Sequence, residues 1–259
     1  MSLVIGTYAS LAYVHLQLEA WRRHCADMPC LVRDDCSHER DRLSGLCRDY
    51  GADFESNTRR RGHVVGDMLV FTRGLAWAAS VGTNLLVKFS RRWIPLMPWQ
   101  DALGRLASES QSPTLCARCT HHGFGFRSEC VAMHVPTWIA TEAMQPLCRE
   151  IQAASLVDAS LSPAESGILV EAVVHNSARR AYKARPRACD EYEIAHPRPH
   201  GCDSYAEWPM MGSDRVSRRE GVLWHEWSRP EEYHRALVEW GIRDYSLADL
   251  ADVNTDRHA

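Results

Sequence analysis

Lysine is nearly missing from this sequence. Of its 30 lysines and arginines only Lys88 and Lys183 are lysine, and 33 acidic residues bring the formal charge to -3. With no surplus of positive charge there is no broad field to attract a polyanion, which argues against a dedicated nucleic-acid binder and confines any anion site to a local cluster. A long apolar run is also missing. The apolar opening MSLVIGTYASLAYVHLQLEAWRRH is interrupted by His15, Gln17 and Glu19, has no basic leader and ends in no small-residue cleavage site. Neither a signal peptide nor a membrane span is expected from it. The 10 cysteines, met without a secretory signal, are expected as mostly reduced thiols of a cytoplasmic protein. Glycine-rich phosphate loops are absent as well: no G-x-G-x-x-G follows the first strand and no G-x-x-x-x-G-K-[ST] occurs. Dinucleotide dehydrogenases and P-loop enzymes are therefore excluded, and no internal repeat or low-complexity tract is present.

What is there reads as an ordinary globular chain, with 259 residues, 45% apolar and 24% charged, enough to bury a substantial core. Strand and helix signals alternate over the first ninety residues. LVIGTY is an apolar run, and Leu11, Val14, Leu18 and Trp21 then recur at helical spacing. PCLVRDDCS is a second strand; Ser37 is read as the N-cap of a helix carrying Leu43, Leu46, Cys47 and Tyr50 and closed by Gly51. ADFES is a third strand, Met68, Phe71, Leu75, Ala78 and Val81 line a third helix stopping at Gly82, and NLLVKF is a fourth strand. Strands separated by helices of this length predict an α/β fold, a mostly parallel central sheet flanked by helices, in one domain over residues 1–259. Ligands of such sheets bind beyond the carboxyl ends of the strands, where Gly6-Thr7-Tyr8, Asp34-Asp35, Ser56-Asn57 and Ser90-Arg91-Arg92 stand.

The second half is less regular. HGFGFRSECVAMHV suggests a loop leading into a strand, Ser162, Pro163 and Glu165 suggest a helix start, and Arg185 to Gly221, rich in Pro, Gly, Asp and Arg, suggests a long surface loop. GVLWHEWSRPEEYHRALVEWGI gives a short strand and a helix capped by Ser228, with Tyr233, Leu237 and Trp240 facing the core. CARCTHH places Cys116 and Cys119 before His121 and His122, with Cys130 beyond, but the second pair lacks a familiar zinc spacing, and free thiols are the plainer reading.

Taken in order, VIGTY, LVRDDCS, the helix GH..GD....F..GLAWA and LLVKFSRR resemble a nucleotide-sugar glycosyltransferase of the GT-A (Rossmann-like) fold, family-2-like. The resemblance covers about residues 3–95 well, and GFGFRSE and LWHEW loosely. It implies that residues 1–100 hold the donor, of UDP type, and residues 101–259 a hydroxyl acceptor. Thr7 and Tyr8 would flank the nucleobase, the Tyr8 ring offering a stacking face or serving as an ordinary boundary aromatic. Asp34 and Asp35 would bind base and ribose, one of the pair capping the helix near Ser37 instead. Asp67, placed with His63 before the third helix, is a donor-site or a capping carboxylate, and Lys88 and Ser90 of the fourth strand are expected to contact the donor.

The fourth strand departs from the family's pattern. Where the resemblance expects an Asp-x-Asp motif holding a divalent cation, Ser90 and Arg92 occupy the two acidic places. A loop bearing arginine repels such a cation, while guanidinium forks from Arg91 and Arg92 can grip phosphate oxygens themselves. The expectation is transfer without a metal or other cofactor; arginines that merely solvate a strand end, or pair with Asp67 or Asp101, and a nucleotide-sugar-binding protein that transfers nothing are the alternatives. Glu129 in FRSEC is the candidate base for the acceptor hydroxyl, and His225 in LWHEW a candidate phosphate contact.

Overall fold

A computed structural model describes residues 1–90, 92–110, 112–118, 126–154, 170–183, 206–207, 223–224 and 230–250. Strands β1 (Ser2–Thr7), β2 (Cys30–Asp34), β3 (Asp53–Ser56) and β4 (Leu85–Ser90) alternate with helices α1 (Leu11–Cys25), α2 (Arg40–Tyr50) and α3 (Gly62–Ser80). A two-residue strand β5 (Ile94–Pro95), helix α4 (Gln100–Ser110), β6 (Thr114–Arg118) and β7 (Phe126–His134) follow. Helices α5 (Val135–Ala140), α6 (Gln145–Ala154) and α7 (Val170–Lys183), two short strands β8 (Ala206–Glu207) and β9 (Leu223–Trp224), and helix α8 (Pro230–Glu239) complete the described elements, with a 3-10 turn at Leu247–Leu250.

Seven strands form one sheet in the order β3-β2-β1-β4-β7-β6-β8, and β5 pairs with β9 apart from it. β1 runs parallel to β2 and β4, and β2 to β3. β7 is antiparallel to both β4 and β6, and β8 is parallel to β6, so β7 alone opposes the rest. The expected α/β architecture, a mostly parallel sheet between helical layers, is the observed one.

Side-chain alternation sorts the core into two faces. Leu3 and Ile5 of β1, Val32 of β2, Val87 and Phe89 of β4 and Cys130 of β7 pack with α1 and α2. Val4, Leu31, Leu86 and Val131 point the other way, onto Met68, Phe71 and Leu75 of α3. The central strand is buried on both faces, so β1 is a nearly unbroken apolar run. Helix α1 is covered twice over, because its outer side meets α8 through Tyr13, Leu16 and Ala20 against Tyr233, Ala236 and Leu237. That double burial, not a membrane, accounts for its apolar sequence, and among the described residues no helix is long and apolar enough to cross a bilayer.

Two expectations for the helix starts are corrected. α2 begins at Arg40 after Glu39, without a side-chain cap; Ser37 lies three residues earlier and bonds elsewhere. α3 begins at Gly62, so His63 and Asp67 sit inside its first turns and Asp67 caps nothing. Gly51 does end α2 in the left-handed conformation, φ 74°. The Ser162 helix start and the Ser228 cap lie outside the described residues, as do residues 185–221 apart from β8.

Candidate functional site

A cleft of about 210 Å³ opens beyond the carboxyl ends of β1, β2 and β4. Its first wall is built by β1 and β2. Thr7 and Tyr8 end one strand, Asp34 and Asp35 the other, and all four line the cleft. The chain leaves both strands through non-glycine residues of positive φ, Ala9 at 46° and Cys36 at 64°, conformations that cost on the order of 1–3 kcal/mol each and need surrounding structure to hold them. Ser37 supplies part of that structure. Its hydroxyl donates to Asp34 Oδ1 and accepts from the Ala9 N–H at 2.6 Å, and its own N–H donates to Asp34 Oδ2 at 2.9 Å. With Ser56 Oγ donating to Oδ2 at 2.7 Å, Asp34 is committed to joining three loops.

Asp35 is the less deeply buried of the two carboxylates. It is 8% exposed and accepts from Asn57 Nδ2 at 2.6 Å and from the Arg61 N–H at 2.9 Å. Burial pushes its pKa up, against the pull of the Asn57, Arg61 and Gly62 hydrogen bonds. Arg33 Nη2 donates to Asn57 Oδ1, which fixes the amide with its Nδ2 toward Asp35. Gly66 has no room for a side chain: an added Cβ would lie 2.9 Å from Asp35 Oδ2. The Tyr8 ring is not bare, since the Arg60 guanidinium covers it at 4.2 Å. Thr7 Oγ1 is buried and finds no hydrogen-bond partner among the described residues.

The second wall is organised by Lys88. This residue points from β4 onto the α3 face, fully buried, with Nζ 4.9 Å from the Phe71 ring centroid. Its ammonium donates to Asp67 Oδ1 at 2.6 Å, Ser90 Oγ at 2.9 Å and the Ser128 carbonyl at 2.9 Å. All three protons are spent, so Lys88 stands behind the cleft and not in it, a correction to its expected contact with the donor. It orients two residues that do line the cleft, Asp67 and Ser90. Because Ser90 Oγ accepts from Lys88, its own hydrogen points elsewhere. Asp67, 17% exposed, takes the buried lysine as its partner, and Asp101 lies away on α4.

Arg92, 5% exposed, lines the third side. Ser128 and Glu129 of β7 line the cleft as well, with Val170 and Glu171 from the first turn of α7. Ser128 Oγ donates to Glu171 Oε1 at 3.0 Å, so two carboxylates, Glu129 and Glu171, share this wall. The structure thus gathers Thr7, Tyr8, Asp34, Asp35, Asp67, Ser90, Arg92 and Glu129 around one cleft. Arg91 and His225 lie outside the described residues, as do Cys119, His121 and His122, while Cys130 is buried in the sheet core. Among the described residues no three His, Cys, Asp or Glu side chains converge to hold a metal ion. Arg60, Ser128 and Glu171 carried no signal in the sequence; Asn57 and His63 did, as residues at a strand end and a helix start.

No protein-family model and no curated protein matches the sequence. Solved structures do. The glycosyltransferase GlyE of Streptococcus pneumoniae TIGR4, in its apo form, superposes with a TM-score of 0.54 at 11% identity, over 98% of this chain and 63% of GlyE. TarS of S. aureus gives a TM-score of 0.51 at 10% identity, over 96% of this chain and 41% of TarS. Residues 1–349 of TarS, known also with UDP-GlcNAc bound, match with a TM-score of 0.50 at 9% identity. The chain therefore spans less than two thirds of GlyE and of TarS. It has the GT-A fold of these glycosyltransferases.

Proposed function

We propose that this protein is a glycosyltransferase that moves a sugar from a UDP-type nucleoside-diphosphate sugar to a hydroxyl acceptor, without a divalent metal. The observation that carries the proposal is the cleft itself, which is lined by the buried carboxylate of Asp35, by Ser90 and Arg92, and by Glu129 of β7 and Glu171 of α7. The UDP-GlcNAc complex of TarS supports a nucleotide sugar as the ligand of this fold.

Each wall then has its own part in the reaction. Asp35, held by Asn57 and the start of α3, accepts a hydrogen bond from the base or ribose, with Thr7 and the Arg60–Tyr8 pair beside it. At the Asp-x-Asp position the donor set does not fit a divalent cation: Ser90 and Arg92 offer a hydroxyl and a guanidinium, and Asp67 already neutralises Lys88. Positive charge from Arg92 serves the leaving diphosphate directly. As the acceptor oxygen bonds the anomeric carbon, its proton passes to Glu129 while the bond from that carbon to the diphosphate breaks and its electrons leave with UDP.

A second assignment of the base rests on Ser128, whose hydroxyl orients Glu171. Both are tested by UDP release from UDP-sugar in the presence of acceptor. Glu129→Gln should lower turnover roughly 10²- to 10⁴-fold while calorimetric UDP affinity stays near wild type. A loss confined to Glu171→Gln would move the role across the wall. UDP-sugar binding with no UDP release from any acceptor would make the chain a nucleotide-sugar-binding protein instead.

A further inference from the structure

Gln17 sits in the middle of α1 among buried apolar neighbours and is itself 1% exposed. A buried amide is costly unless its hydrogen bonds are made. Nε2 makes both of its own, donating to the Ser90 carbonyl at 2.9 Å and to the Trp93 carbonyl at 3.0 Å. These two carbonyls bracket the turn that carries Arg92. The turn also closes on itself, with the Trp93 N–H donating to Ser90 O at 3.2 Å. From α8, Tyr233 Oη donates to the Arg92 carbonyl at 2.9 Å, and the Arg92 guanidinium carbon lies 5.9 Å from the Tyr13 ring centroid. Gln17 Oε1 is left without a hydrogen-bond partner among the described residues. The amide thus leaves one buried acceptor unmet while gripping both sides of the turn, an arrangement that calls for a reason beyond packing.

We infer that Gln17 is a positioning residue that, with Tyr233, fixes the backbone on either side of Arg92 so that the guanidinium meets the donor's diphosphate already oriented. The inference rests on the reading of Arg92 as the diphosphate ligand. Only an amide of this length serves, since Glu would turn an acceptor and a charge toward two carbonyls, and Asn would fall one methylene short. A side chain that must hold charge for a departing group works best when nothing has to reorganise as the charge appears.

UDP is the probe, because it carries the charge that the leaving group acquires. Its dissociation constant and the urea midpoint are measured for wild type, Gln17→Leu, Tyr233→Phe and Arg92→Ala, and for each of the first two substitutions combined with Arg92→Ala. Gln17→Leu should weaken UDP roughly tenfold, short of the ~10²-fold that a misplacement of about 1 Å can cost a reacting group, and Tyr233→Phe less. In the Arg92→Ala background neither should weaken UDP further, because both act through the same side chain. A structural role alone would lower the urea midpoint equally in both backgrounds without that non-additivity. Wild-type UDP affinity in folded Gln17→Leu and Tyr233→Phe, beside weak binding by Arg92→Ala, would overturn the positioning role only. Wild-type affinity in Arg92→Ala would overturn the reading of Arg92 itself, and the positioning role with it.

Discussion

Replacing Lys88 by methionine removes a fully buried ammonium from the wall of the cleft while keeping a side chain of similar length. Three partners are stranded at once: Asp67 loses its counter-ion, and the Ser90 hydroxyl and Ser128 carbonyl each lose a donor. Breaking a buried pair by removing one partner costs about 3–5 kcal/mol, because the remaining charge is left uncompensated. Asp67 is 17% exposed, so water reaches part of its carboxylate, and the lower end applies, about 3 kcal/mol. In a chain of this size each kcal/mol is worth about 2–4 °C, so the thermal midpoint should fall by roughly 6–12 °C. Adding Asp67→Asn should restore much of the loss, since the double variant leaves no unpaired charge. Thermal and urea denaturation of the four proteins in that cycle measure the coupling. A loss under about 1 kcal/mol in Lys88→Met, or strict additivity of the two substitutions, would refute the buried-pair account.

Two further outcomes follow from the same geometry. Gly66→Ala places a methyl 2.9 Å from Asp35 Oδ2, which should cost about 1–3 kcal/mol of overpacking and weaken UDP by displacing Asp35; unchanged UDP affinity would show that Asp35 is not a donor contact. Burial pushes the imidazoles of His15 and His134 below 6.5, so below about pH 6.5 the unfolded chain takes up protons that the folded chain refuses. The stability these two groups contribute is therefore full above that pH and should decline as the pH drops toward the folded-state values, while Asp35, whose raised pKa acts in the opposite sense, offsets part of the loss where it titrates. The urea midpoint at about pH 7.5, 6.5 and 5.5 checks this, with a shallower decline expected for His15→Gln; a flat profile would be evidence against it.

The mostly parallel sheet and the site's general position were legible because they depend on local signals, apolar strands alternating with helices and the polar residues that end each strand. Particular roles were less so, since near-identical local patterns serve different ends. A serine shortly after a strand reads as a helix cap, but Ser37 is taken by Asp34 and the helix starts later, at Arg40. The start of α3 was hidden because Gly66 and Asp67 break its apolar period, and both are there for long-range reasons, room for Asp35 and a partner for Lys88. A lysine at the end of an apolar strand looks like a ligand until its carboxylate is located 21 residues earlier. Gln17 looked like no more than a break in an apolar helix, because the carbonyls it holds lie 73 and 76 residues further along the chain.

The proposal that the Arg92 guanidinium serves the leaving diphosphate without a divalent metal has a direct test. It is UDP-sugar turnover in EDTA, with wild type, Arg92→Ala and Arg92→Lys. Wild type should turn over unchanged. Arg92→Ala should lose on the order of 3 kcal/mol of transition-state stabilisation, a rate loss of roughly 10²- to 10³-fold, and lysine, without the planar fork, should restore only part of it. Strict dependence on added Mn²⁺ or Mg²⁺, or an Arg92→Ala protein as active as wild type, would contradict the account.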